Sequence, residues 1–260
     1  MLTCAFSVIT CVISVILDSR ADKLMNVEVK SQKVIWDFKI FLSYDKLCYL
    51  IFCHCLLLYG GFLAFESYLY SILFNKFGVD KTTAGSMVSI PYWLSLSAPL
   101  FSIFAGRFGR RLFGLAATCI MAVISAVILV LFPSSMSTLS LYIPLISFGI
   151  FFGLLAAYLF PTFPFLSPPS RLRTCFGIGY AVKNMGVSGF GYLGGFVLGD
   201  DSDNCNAFIL FFMGIFFIAL LISICAYIVD RQAGGNINSI TPKREFEIAK
   251  EEERISISES

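Results

Sequence analysis

Between Ser97 and Arg111 the chain reads SAPLFSIFAGRFGRR, a Ser-Ala-Pro kink followed by a tight turn that carries two glycines and three arginines. Apolar runs flank it on both sides, each close to the roughly 20 residues that a helix needs to cross a hydrocarbon layer. Two membrane helices joined by a short basic connection at the cytoplasmic face are what this pattern predicts. The composition agrees, with 57% hydrophobic and only 14% charged residues, where a soluble domain carries about 25% charged. The chain therefore reads as a polytopic membrane protein. Its net charge of +2 does not point to nucleic acid, because the basic residues lie in loops between apolar runs rather than on one soluble face.

Seven spans are expected, over residues 1–17, 47–73, 84–105, 112–132, 139–160, 175–198 and 205–229. Residues 1–17 lack the basic start of a signal peptide, and Arg20 follows the apolar run, which favours a span ending in the cytoplasm. Pro91 and Pro99 are tolerable inside a membrane helix because neighbouring groups take up the freed carbonyls. Pro161, Pro164, Pro168 and Pro169 are expected to break the fifth span. With this threading, sixteen Lys and Arg residues fall on one side, in the segment 18–46, the basic turn, the pair Arg171 and Arg173, and the tail 230–260. Only Lys76 and Lys81 fall on the other, so the linker, the basic turn and the tail are expected in the cytoplasm.

The nine cysteines are scattered through apolar runs and read as small apolar filler, without zinc or redox spacing. There is no Asn-x-Ser/Thr sequon, no phosphate loop and no nucleophile arrangement, so neither a cofactor, a metal nor enzymatic chemistry is expected.

The charged and polar residues inside the spans are the candidates for function. Lys183 lies about ten residues into its helix, where an ammonium costs about 2.5–3.5 kcal/mol and so faces a cavity or a partner. It reads either as a cavity cation for a carboxylate or as a structural ion pair, with Asn184 beside it sharing either role. Glu66 is the candidate anion, expected roughly 15 Å further out than Lys183 at 1.5 Å per residue, which argues against a direct bridge. His54, the single histidine, reads more readily as a hydrogen-bonded helix contact than as a proton relay. Tyr92, Trp93, Ser95, Ser97 and Tyr158 offer aromatic and hydroxyl groups to a cavity, against the plainer reading of packing or interfacial belt. Gly191, Gly195 and Gly199 form a four-residue row expected to let backbones approach closely.

The turn resembles the loop signature of the major facilitator superfamily, Gly-x-x-x-Asp-Arg/Lys-x-Gly-Arg/Lys-Arg/Lys. Arg107, Gly109, Arg110 and Arg111 match it, whereas Ser102 and Gly106 stand where the signature has its first glycine and its aspartate. The segments LDSRADK, NKFGVD, FGIGYAVKNMG and VDRQAGGNIN are similar to a lysosomal dipeptide-carrying branch of that superfamily. The resemblance implies an all-α fold: residues 1–17 as the last helix of an N-terminal half, 18–46 as the cytoplasmic linker, 47–229 as the complete six-helix C-terminal half and 230–260 as a charged tail, with five preceding helices absent. It implies alternating access about a midplane site and lysosomal uniport of dipeptides. It further implies a glycosylated single-span lysosomal accessory partner, and pairing with a second copy stays open. The turn residues Arg107, Gly109, Arg110 and Arg111 are implied as a gating loop. Another small polar solute, or a non-transporting membrane subunit, stays open beside it.

Overall fold

The computed structural model describes residues 12, 13, 16, 17, 20, 44–167, 171–199, 204–235 and 237–238. The chain divides into two units, Met1–Ser43 and Tyr44–Ser260. In the first, Val12, Ile13, Ile16, Leu17 and Arg20 are helical and exposed; the rest of the expected first span and linker, and the tail past Asn238, lie outside the described residues.

The second unit contains six long helical segments, and no strand occurs among the described residues. They are α1 (Lys46–Asn75), α2 (Lys81–Phe108), α3 (Arg111–Leu131), α4 (Thr138–Leu166), α5 (Leu172–Leu198) and α6 (Cys205–Gln232). All but α5 are long and apolar enough to cross a membrane. α5 has the length, 27 residues, but its glycines and Lys183 dilute its apolar character.

Three of these helices change their winding. α1 opens into a π-helical turn at Cys55–Gly60, a form found mostly as single turns at functional sites. α2 is built from three pieces, Lys81–Val88, Ile90–Ser95 and Ala98–Phe108, because Pro91 and Pro99 lack the N–H that would continue each preceding piece. Serine hydroxyls close these breaks: Ser89 donates to the Ser86 carbonyl at 2.6 Å and Ser97 to that of Leu94 at 2.6 Å. In α4 the expected break is milder than the prolines suggested. A 3₁₀ turn, Phe160–Thr162, carries the chain into a short helix, Phe163–Leu166. Pro161 and Pro164 each occupy a first-turn position there, where the missing N–H has no partner to lose.

Between membrane helices the surrounding lipid is as apolar as the side chains, so close packing rather than water exclusion holds them together. The core is a block of phenylalanines. Phe62 and Phe65 of α1, Phe148 and Phe151 of α4, and Phe208, Phe212 and Phe216 of α6 are all fully buried. Their rings meet at 4.9 Å (Phe62–Phe151), 5.2 Å (Phe65–Phe148) and 4.7 Å (Phe208–Phe212). Such pairs add about 0.5–1.5 kcal/mol each beyond area burial. Against α3, the Ser223 hydroxyl of α6 lies 3.2 Å from His54 Nδ1 and 3.6 Å from Cys119 Sγ. His54 is buried, with its Nδ1 side against Ser223.

The NKFGVD segment is a compact connection between α1 and α2. Lys76 donates to the Leu129 carbonyl at the end of α3, a favourable place for a cation. Gly78 adopts φ 64°, Val79 N–H donates to the Leu73 carbonyl at 3.1 Å, and Asp80 caps α2 by accepting from Thr83 N–H at 3.0 Å. At the opposite end of the unit the basic segments converge. The Tyr44 hydroxyl donates to the Arg171 carbonyl at 3.3 Å, the Arg111 guanidinium lies 3.8 Å from the Phe165 ring, and Arg110 N–H donates to the Asn238 carbonyl at 3.1 Å. The end of the linker, the basic turn, the α4–α5 connection and the start of the tail therefore share one end of the bundle.

Candidate functional site

The glycines set how closely α5 meets its neighbours. The expected row at Gly191, Gly195 and Gly199 packs against the Tyr68 side chain, whose hydroxyl donates to the Gly191 carbonyl at 3.0 Å, and does not bring two backbones together. A Cβ on Gly191 would meet open space, one on Gly195 would meet the Tyr68 hydroxyl, and Gly199 ends the helix with φ 76°. The close contacts of α5 are instead at Gly179 against Phe163, Gly186 against Leu56 and Gly60, and Gly194 against Phe208 and Phe212. A four-residue step drifts about 40° around a helix, whereas the seven-residue step from Gly179 to Gly186 returns to within about 20° of the same face. The tightest crossing pairs the backbones of Gly60, at the end of the π turn, and Gly186. A Cβ on Gly60 would lie 2.8 Å from both the Gly186 Cα and the Lys183 carbonyl oxygen.

That crossing places Lys183 against α1. Its Nζ stands 5.2 Å from the Tyr59 ring centroid and 4.9 Å from that of Tyr180, and it forms no salt bridge with a described residue. Half-buried in a membrane helix, the ammonium is held by two aromatic faces, whose π charge attracts a cation.

From Tyr59 an aromatic strip runs along the bundle. Tyr59 packs edge-on against Phe152 (5.7 Å) and Phe160 (5.6 Å), Phe160 stacks on Tyr180 (5.1 Å), and Phe152 meets Tyr92 at 5.9 Å. At its far end the Tyr92 hydroxyl donates a 2.6 Å hydrogen bond to Glu66 Oε2, short enough to be charge-assisted. Tyr92 is in reach because it lies on the short middle piece of α2 between the two breaks. Tyr59 and Glu66 are seven residues apart on α1, about 10 Å of rise. The cation and the anion therefore sit at the two ends of one aromatic wall, contributed by α1, α2, α4 and α5, with no direct bridge between them.

The other residues singled out from sequence divide. Asn184 is exposed beside Lys183. Trp93 is 71% exposed, with no ring contact among the described residues, so the structure does not gather it with the others. Tyr158 lies against Gly114 of α3, away from the strip, and the hydroxyls of Ser95 and Ser97 are taken by carbonyls of their own helix. In the basic turn, Arg107 and Arg110 are exposed and Arg111 is buried. Gly109 has φ 64° and Arg110 adopts a left-handed φ of 48°. Sequence reasoning missed Tyr59, Tyr180, Phe152 and Phe160. The available signal was Tyr180 three positions before Lys183, on the same helical face. Among the described residues no group of His, Cys, Asp or Glu is placed to hold a metal ion.

The all-α bundle of kinked helices has the fold of a solved transporter structure. It superposes on a crystal structure of the peptide transporter POT in complex with sulfate with a TM-score of 0.66, at 14% identity over 84% of this chain and 45% of that one. In sequence the chain is similar to the lysosomal dipeptide transporter MFSD1 of mouse, at 27% identity over 94% of its length, and to that of human, at 25% over 94%. No family model matches it. The chain spans about half the length of these curated relatives, 51% in each case.

Proposed function

We propose that this chain is the C-terminal half of a carrier that moves dipeptides out of the lysosomal lumen by alternating access, with the basic turn and tail cytoplasmic. In this reading residues 1–17 end the preceding half, 18–46 link the halves, 47–229 form the six-helix half and 230–260 are the tail. The observation that carries it is the separation of charges on one aromatic wall. Lys183 receives the peptide carboxylate, Glu66 the free amine, and the rings of Tyr59, Phe152 and Tyr92 lie along the backbone between them, with Asn184 and Trp93 facing whatever completes the cavity. A dipeptide carries one carboxylate and one ammonium at the two ends of a backbone of at most about 7 Å, the same charge pattern that the wall presents in reverse. Sequence similarity to lysosomal dipeptide transporters supports this substrate class.

The test is dipeptide flux into proteoliposomes with the parent chain and with Lys183→Ala, in the complete carrier that contains this half. Flux of a free dipeptide should fall at least tenfold. The residual flux should become indifferent to amidation of the peptide's C-terminus, which slows the parent. Equal flux in the two proteins would remove Lys183 from the site and with it this reading.

A further inference from the structure

At the end of the bundle that carries the basic turn, the VDRQAGGNIN segment folds back on α3. Gly234 and Gly235 adopt φ of 101° and 72°, a conformation that side chains resist. This turn brings Ile237 and Asn238 beside Asp230, which is 1% exposed. Asp230 Oδ1 accepts from Ile237 N–H at 3.1 Å and Oδ2 from the Asn238 side-chain amide at 3.1 Å. The carbonyl of Asp230 also accepts from Gly235 N–H at 2.8 Å.

The returned segment then grips the basic turn. Asn238 accepts twice, at its backbone oxygen from Arg110 N–H at 3.1 Å and at Oδ1 from Leu112 N–H at 3.2 Å, while the Arg111 guanidinium donates to the Ile237 carbonyl at 3.4 Å. The first N–H groups of a helix have no partner within it, and Arg110 supplies no side-chain cap to α3. Asn238 provides that cap from beyond the last helix, and the same contacts hold Arg110 in its left-handed conformation. At Gly106, where a side chain would meet open space, the turn carries no carboxylate.

We infer that Asp230 is the positioning residue of the basic turn: through Ile237 and Asn238 it fastens the start of α3 to the end of α6. The inference is independent of what the carrier moves.

Donor and acceptor bookkeeping gives a specific test. In Asp230→Asn, one amide must set donor against donor, either towards Asn238 or, if Asn238 turns over, towards Leu112 N–H. In Asn238→Asp, two carboxylates face each other. In the exchanged double variant Asp230→Asn/Asn238→Asp, the amide at 230 donates to the carboxylate at 238, which still accepts from Leu112. The readout is the reaction of an Ile237→Cys reporter, at a buried position, with a charged thiol reagent in lipid nanodiscs, after subtraction of the native cysteines. Each single variant should label about tenfold faster, equivalent to about 1.4 kcal/mol, and the exchange should return to within twofold of the parent. Labelling at the parent rate in both single variants, or an exchanged variant as fast as the singles, overturns the inference. If Asp230→Asn does not give a monodisperse protein, Asn238→Ala at a half-buried position carries the same expectation of tenfold faster labelling, with parent-like labelling again overturning it.

Discussion

The crossing of α1 and α5 makes Gly60→Ala the most informative single change in the unit. The added methyl would lie 2.8 Å from the Gly186 Cα and 2.8 Å from the Lys183 carbonyl oxygen, against about 3.5–4.0 Å for a relaxed carbon contact. Both obstacles are backbone and cannot swing aside, so the helices must part by roughly 1 Å. Overpacking of this kind costs about 1–3 kcal/mol, less up to about 1 kcal/mol recovered from the better helix propensity of alanine. A net loss of 1–2 kcal/mol is the expectation. It falls on the backbone of Lys183 itself and draws its ammonium away from the Tyr59 ring. Thermal unfolding in detergent and dipeptide flux should therefore both fall, with flux reduced about five- to thirtyfold on the free-energy scale. Gly189→Ala is the control, because a methyl at that position of α5 meets nothing within 4 Å, and it should leave both unchanged or raise stability. If Gly60→Ala matched Gly189→Ala in both assays, the close approach of these backbones would be refuted.

Tyr92→Phe removes the 2.6 Å hydrogen bond to Glu66 and keeps the ring against Phe152. With both groups partly exposed, about 1 kcal/mol is expected, read as a roughly fivefold rise in KM for dipeptides with little change in unfolding temperature. Ser223→Ala takes from buried His54 its 3.2 Å hydroxyl partner and should cost about 0.5–1.5 kcal/mol of stability in urea unfolding, while flux in the surviving protein is preserved. Asp80 is held below the usual carboxylate range by its hydrogen bonds to the hydroxyl and N–H of Thr83. A group with a depressed folded-state pKa stabilises fully above its unfolded value and loses that contribution as pH falls through the folded one. The parent should thus lose unfolding temperature on strong acidification more steeply than Asp80→Asn, measured by a pH series in detergent.

The spans were legible because runs of some twenty apolar residues between basic and acidic turns have no stable home outside a bilayer. The winding inside them was not. Nothing in CLLLYG marks a π turn, and its position depends on how Gly60 meets Gly186 across the bundle. Lys183 and Glu66 stood out as charges in apolar runs, yet the partners of Lys183 are two rings and that of Glu66 is a tyrosine hydroxyl. Tyr59, Phe152 and Tyr180 look like any other aromatic in a membrane helix until the fold lines them up. The glycine spacing misled for a related reason: in α5 the glycines that pack are those facing Phe163, Gly60 and the rings of Phe208 and Phe212, not the four-residue pattern most visible in the sequence. VDRQAGGNIN was informative only as a resemblance, since its grip on Arg110 and Leu112 spans more than a hundred residues of chain.

The wide turn at Cys55–Gly60 leaves α1 as two rods out of phase. It takes in one residue more than an α-helix of the same height would hold, and each residue of an α-helix rotates the next by about 100°. Without that surplus Glu66 would point about a quarter-circle away from Tyr92, even though every side chain of the strip were still present. Deleting any one residue from the wide turn should therefore disarm the anionic end of the wall more thoroughly than replacing any single member of it.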